Sequence, residues 1–119
     1  DRAYVERLRA LAAGFPPGAR WLLFAFDRAV DDQARERPDW TTFHVPDAYA
    51  QQVATATPER FGWVASIHPL RPDALERLDR ALAGGALAIK WLPRNGEDML
   101  FIAPTVITNG SFPGDEMVA

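Results

Sequence analysis

Apolar and polar positions change their spacing several times along the chain, and each change marks an element. Residues 1–13 set Tyr4, Val5, Leu8, Leu11 and Ala12 at helical intervals opposite Arg2, Glu6, Arg7 and Arg9. That spacing predicts an amphipathic surface helix. Gly14, Pro16, Pro17 and Gly18 end it in a turn. Trp21 to Phe26 is apolar at every position and rich in aromatics, which predicts a strand buried on both faces. Asp27 and Arg28 follow at its carboxyl end. Residues 27–45 are polar and irregular, and a connection of this length is expected to be functional or mobile. Pro46 to about Thr57 then reads as a helix. Pro46 suits the first turn, Asp47 complements the dipole, and Tyr49 with Val53 makes an i,i+4 pair.

From Phe61 to Pro93 the order is strand, helix, strand. Phe61–Ser66 is the first apolar run, and Ile67-His68-Pro69 follow it directly. The helix runs from about Pro72 to Ala83, with Leu75, Leu78 and Leu82 as its buried stripe. Arg71, Glu76, Arg77, Asp79 and Arg80 supply much of its solvated face, and Gly84-Gly85 stops it. A second apolar run, Ala86 to Leu92, carries Lys90 in its interior. Arg94 to Asp98 is a turn, and Met99 to Ile107 a further strand interrupted by Pro104, which suits an edge or two short pieces. The tail from Thr108 has no period. Strands that alternate with helices pair in parallel through right-handed crossovers. The fold class is therefore α/β, a parallel βαβαβ unit over residues 21–93, preceded by a helix and turn and followed by an atypical end. Working residues of such folds gather at the carboxyl ends of the strands, which makes His68 and Lys90 neighbours on one rim.

Composition narrows the class. At 119 residues the chain has room for one core, as a single domain or a piece of a larger one. Its 48% hydrophobic and 24% charged residues suit an ordinary globular protein and argue against disorder. No apolar run approaches the roughly 20 residues that span a bilayer, so no membrane is expected. A net charge of -3, with arginines scattered among acids, argues against nucleic acid as the main partner. The absence of Cys excludes disulfides and thiolate-held zinc and fits a reducing, cytoplasmic setting. The chain opens on Asp1, and its first Met is Met99, so it is expected to be cut from something longer.

Three stretches carry a family resemblance. They are Trp21-Leu-Leu-Phe-Ala-Phe-Asp27, Pro58-Glu-Arg-Phe-Gly-Trp-Val-Ala-Ser-Ile-His-Pro69 and Arg77-Leu-Asp-Arg-Ala-Leu-Ala-Gly-Gly-Ala-Leu-Ala-Ile-Lys-Trp-Leu-Pro93. Together they resemble the amidohydrolase family 2 group of metal-dependent hydrolases. The third is closest, with its helix, glycine turn and Lys-containing strand ending in Pro. The resemblance implies a (β/α)8 TIM-like barrel that binds one or two divalent metals, zinc or manganese, and hydrolyses or sometimes decarboxylates small substrates. The departures are specific. The family's His-x-His strand is absent, and His44 and His68 are the only histidines. A complete barrel needs about 250 residues. The chain would supply strands 2 to 4 and lack most of the metal site, and residues 94–119 follow no family pattern.

Three residues stand out as site candidates. Strand alternation puts Leu87, Ile89 and Trp91 on one face and Ala88, Lys90 and Leu92 on the other. In a barrel Lys90 would then point inward, and a buried cation there must be paired, neutralised or modified. It would serve as a carboxylated metal bridge or a substrate-carboxylate anchor; otherwise it reaches solvent or pairs with Asp27. His68, directly after its strand, is either a metal or substrate residue or a polar loop residue bonded to nearby backbone. Asp27 would orient a water, hold Arg28 or accept from Lys90; otherwise it caps a turn. His44 in the long loop is expected to be structural or solvated, and the four Trp residues to serve packing. No phosphate loop, dinucleotide fingerprint, Gly-x-Ser-x-Gly or His-Glu-x-x-His is present.

The leading expectation is thus a fragment of a metal-dependent hydrolase of a small amide, ester or lactone. Metal-bound water would be the nucleophile of the complete protein, Asp27, His68 and Lys90 would line its substrate rim, and the piece alone would be inactive. The competing expectation is a non-catalytic α/β domain that forms a homo-oligomer, or binds a partner, through exposed sheet edges. A flavodoxin-like binding domain is a third reading, with no phosphate-binding turn behind it.

Overall fold

The computed structural model describes residues 1–91 in full and residues 100–102 as backbone. Its elements are α1 (Arg2–Ala13), β1 (Trp21–Phe24), a 3₁₀ turn (Pro38–Trp40), α2 (Asp47–Ala56), β2 (Phe61–Ser66), α3 (Ala74–Ala83), β3 (Ala88–Trp91) and β4 (Leu100–Ile102). The sheet order is β1-β2-β3-β4. The first three strands are parallel, with Phe24 beside Val64 and Ser66 beside Lys90. The expected βαβαβ unit is present. β4 departs from it by running antiparallel to β3, with Trp91 beside Leu100. The expected turn at Arg94–Asp98 and the tail from Thr108 lie outside the described residues, and only Leu100–Ile102 of the Met99–Ile107 strand lies within them.

Strand order and crossover hand together decide where the helices go. Strands laid down in sequence order, each reached by a right-handed crossover, put their helices on one face of the sheet. The core shows this directly. Ala12 of α1, Ala50 and Ala54 of α2 and Ala81 of α3 share one cluster with Ala25, Phe61, Trp63, Ala65, Ile67 and Ile89. Trp21 and Leu23 of β1 pack against it. All of these sheet residues are odd-numbered, as the two-residue period of a strand requires. The even-numbered set, Leu22, Phe24, Gly62, Val64, Ser66, Ala88 and Lys90, points to the opposite face.

Two expectations of burial are corrected by this arrangement. β1 is not buried on both faces: Leu22 is 52% and Phe24 41% exposed, because β1 is an edge and no helix covers the even side among the described residues. α3 does not bury a leucine stripe either. Leu75 is 77% and Leu82 41% exposed, while Ala81 is buried and Ala74 and Leu78 pack against the core. The helix turns its small residues to the sheet, where Trp63 fills the space and donates its indole N–H to the Gly84 carbonyl at 3.0 Å. In α1, likewise, Leu8 and Ala12 pack inward, while Tyr4 and Leu11 lie in solvent. Leu87 also leaves the face assigned to it. It precedes β3, is 40% exposed, and its side chain and that of Leu22 flank Gly62, at 2.6 and 3.1 Å from where a β-carbon there would sit.

Candidate functional site

At the carboxyl ends of β1 and β2 the chain builds an anchored junction around Asp27. Its carboxylate accepts two hydrogen bonds from the Arg71 guanidinium, each at 2.7 Å. It also accepts the His68 amide at 2.9 Å and the Arg28 amide at 2.7 Å. The Asp27 amide in turn donates to the Ser66 hydroxyl at 2.9 Å. Both side chains of the ion pair are 7% exposed. Burial pushes the Asp27 carboxyl up, but Arg71 and the two amides outweigh it and hold the group below the usual carboxylate range. Glu36 takes the other side of Arg71 at 2.8 Å. Arg71 was expected on the solvated face of the following helix; it lies before that helix and is buried. Asp27 holds Arg28 through its backbone amide, and the alternative in which it accepts from Lys90 is not realised.

Lys90 sits one strand further on, beside Ser66 in the register. It is 2% exposed, and its Nζ has no hydrogen-bond partner among the described residues. The ammonium instead lies over aromatic faces, 2.9 Å from the centre of the Phe26 ring and 5.3 Å from that of Phe24. Burial pulls the amine down to about 8, against a smaller upward pull from Asp47. Asp47 is pushed the other way. Its burial and the charge of Asp27 raise its carboxyl above the ordinary value, although the Ser66 amide donates to it at 2.8 Å.

The histidines are held by backbone. His68 is 7% exposed, its Nδ1 accepts the Leu70 amide at 3.2 Å, and its ring meets Trp91 edge to face at 5.7 Å. With Nδ1 as acceptor, a neutral His68 carries its proton on Nε2. In His44, Nδ1 lies 2.8 Å from the Phe26 carbonyl, which only accepts, so there the proton is on Nδ1. Asp27 and His68 are thus in direct contact, Lys90 lies on the neighbouring strand, and His44 stands at the far end of the long loop.

That loop is not irregular. The amides of Gln33 and Arg35 and the Arg35 Nε all donate to Asp31, which is 3% exposed. Ala34 takes a left-handed conformation (φ 64°) to close the turn. Bridges between Phe26 and Val45 and between Val30 and Glu36 fix the two stems. Arg37 stacks on Trp40 at 4.1 Å and forks onto Asp39 at 3.0 and 2.7 Å. Two open clefts flank this loop. One, of about 610 Å³, has Phe26, Trp40, Phe43 and Trp91 on its walls, with Arg28, Ser66 and His68 among its polar groups. The other, of about 850 Å³, reaches between α2 and α3 past His44, Asp47, Arg71 and Arg77.

The zinc or manganese implied by the family resemblance does not fit these side chains. Four donors already engage the Asp27 carboxylate, and the Leu70 amide takes His68 Nδ1. Among the described residues no group of three or more His, Asp or Glu is placed to hold a metal ion. No helix among them is long and apolar enough to cross a membrane. The chain matches no protein-family model, no curated protein and no solved structure.

Asp27, His68 and Lys90, the candidates named from sequence, lie at or near neighbouring strand ends, whereas Arg71 and Asp31 are not named as candidates and Ser66 shows no nucleophile context in its local sequence. Arg71 sits two residues after Pro69 and one before Pro72, where a helix face is not yet defined, and that was the available signal. A second signal was composition: Lys90 is the only lysine in the sequence, beside twelve arginines. Arginine cannot be deprotonated in a protein, whereas lysine shifts its pKa readily on burial. The one site where this chain uses a lysine is also the most deeply buried cation among the described residues.

Proposed function

We propose that the chain forms one side of the substrate rim of a barrel-type hydrolase acting on a small amide, ester or lactone, with further strands closing the barrel. The observation that carries this reading is the buried amine of Lys90, without a hydrogen-bond partner among the described residues, on the sheet face that no described helix covers. Such a group is a functional-site candidate on physical grounds, because among the described residues its charge has only aromatic faces and the more distant Asp47 to offset burial. With a pKa of about 8, roughly a tenth of the amine is neutral at pH 7 and half at pH 8. The neutral amine takes a proton from water as that water's oxygen bonds to the carbonyl carbon. The resulting ammonium then returns the proton to the departing alkoxide or amine. Asp27 and Arg71 fix the β1 and β2 ends against each other, and His68 offers an Nε2–H donor beside them. Phe26, whose ring covers Nζ and also lines the smaller cleft, separates the amine from bound substrate and must turn to admit it.

A single lysine makes the test direct. Protein labelled with ¹³C at the lysine ε-carbon gives one lysine resonance, and its titration is expected near pH 8 in the folded chain and near the ordinary value of about 10.4 in denaturant. A folded-state titration at the ordinary value would leave the proposed rim without its base.

A second reading, association through the sheet edge, has its own observation. Among the described residues β1 has no neighbour on its outer side, and Leu22 and Phe24 are half-exposed on it without a charge or proline between them. It predicts a dimer by sedimentation that Leu22→Lys dissociates; a monomer for both proteins removes this reading.

A further inference from the structure

We infer that the smaller cleft binds a planar, conjugated ring that carries a carboxylate, with Arg28 as the carboxylate's partner. The inference rests on the reading of this rim as a substrate site and names the class of molecule the site takes. The cleft's volume, about 610 Å³, lies in the range of small-molecule pockets. Its apolar walls are aromatic. Phe26 and Phe43 face each other at 4.5 Å with a 58° tilt, Trp40 and Trp91 complete the walls, and Trp40 is already stacked under Arg37. Rings arranged at tilted angles around a slot accept another flat ring in edge-to-face or offset contact, and gain less from a puckered one.

Charge decides the polar end. The two acids on the cleft walls are neutralised within the protein, Asp27 by Arg71 and Asp39 by Arg37, each through a two-point fork. Arg28 is the exception among the cleft's charged groups. Its guanidinium makes no hydrogen bond among the described residues, and the acid nearest to it, Glu36, stands at 4.0 Å and already holds Arg71 at 2.8 Å. A half-exposed guanidinium beside an aromatic slot, whose one acidic neighbour among the described residues is a long 4.0 Å contact to a carboxylate shared with Arg71, is matched by the two oxygens of a ligand carboxylate. A cationic ligand would meet acids that already have partners.

Calorimetric titration with three probes tests both halves: benzoate, cyclohexanecarboxylate and benzamide. Benzoate is expected to bind about tenfold more tightly than either of the others. Cyclohexanecarboxylate keeps the charge and loses the flat ring, whereas benzamide keeps the ring and loses the charge. Arg28→Met, at a half-exposed position outside the core, is expected to erase the advantage of benzoate over benzamide and leave benzamide binding unchanged. Equal binding of the three probes, no binding of benzoate at millimolar concentration, or an Arg28→Met protein that still prefers benzoate would each overturn the inference. The readout is binding and not turnover. Benzoate binding alongside a Lys90 that titrates at its ordinary value would leave a ligand site without the hydrolase, so the two readings fail separately.

Discussion

Asp27→Asn is expected to lower the stability of the fold by about 3–5 kcal/mol, the range for removing one partner of a buried ion pair. The neutral amide cannot balance the Arg71 guanidinium, which is 7% exposed and would keep only Glu36, a half-exposed partner. It also offers one carbonyl oxygen where the carboxylate offers two to the guanidinium and to the His68 and Arg28 amides. Arg71→Met should cost a similar amount by stranding Asp27. The double variant Asp27→Asn/Arg71→Met should lose less than the two single losses combined, because each charge is removed with its partner. Urea unfolding of the four proteins checks this, and strictly additive losses would mean that the pair does not act as a unit. The pH dependence has a definite sign. The folded pKa of Asp27 lies below its unfolded value of about 3.9, so its contribution is complete above that value and is lost as pH falls through the folded one. Acid sensitivity below about pH 4 should therefore be weaker in Asp27→Asn than in the parent.

The same pair shows where sequence reading ends. Periodicity located the three described α-helices to within about two residues, because such an element is decided by its own neighbours. It could not pair Asp27 with Arg71, since the two are separated by the long loop and the β1–α2–β2 crossover and meet only when β1 and β2 align in register. Leu75 and Leu82 failed for a related reason. A helical wheel built on Ala74, Leu78 and Ala81 shares Leu78 with one built on the leucines and is turned from it by less than one residue's step, and the alanine side is the one that packs with Trp63 in the core. Lys90 was legible because alternation in β3 needs no partner strand: Ile89 joins the helix-side core, so Lys90 must face away. What alternation did not reveal is that Phe26, beyond the end of β1, lays its ring over the amine. The long loop looked irregular because its order comes from one buried acid, Asp31, collecting local donors. Such turn chemistry leaves no hydrophobic period to detect.

Lys90→Met is expected to stabilise the protein at pH 7 by about 1–3 kcal/mol and to flatten its alkaline stability profile. In the folded chain burial pulls the amine to about 8, whereas the unfolded chain titrates near its ordinary value of about 10.4. Between those limits the unfolded state holds a proton that the folded state has released, so stability rises as pH climbs through the window. The cost of the buried charge is fully present below pH 8 and disappears above the unfolded value, and its ceiling is roughly 3 kcal/mol. Contact of the ammonium with the Phe26 ring recovers part of it, which sets the lower end of the range. Methionine keeps the length and apolar stem of lysine without the charge, so packing against Phe24 and Phe26 should survive. Guanidinium unfolding at pH 7, 8, 9 and 10, taken as the difference between parent and variant, cancels the ionisation of Tyr4 and Tyr49 common to both. A difference that shrinks steadily with pH is the expected result, and a difference constant with pH would mean that Lys90 keeps an ordinary affinity for its proton in the fold. A residue that weakens the fold and is the chain's single lysine is not explained by packing. Under the proposed function, the stability given up at Lys90 is what a reactive amine near neutral pH would require.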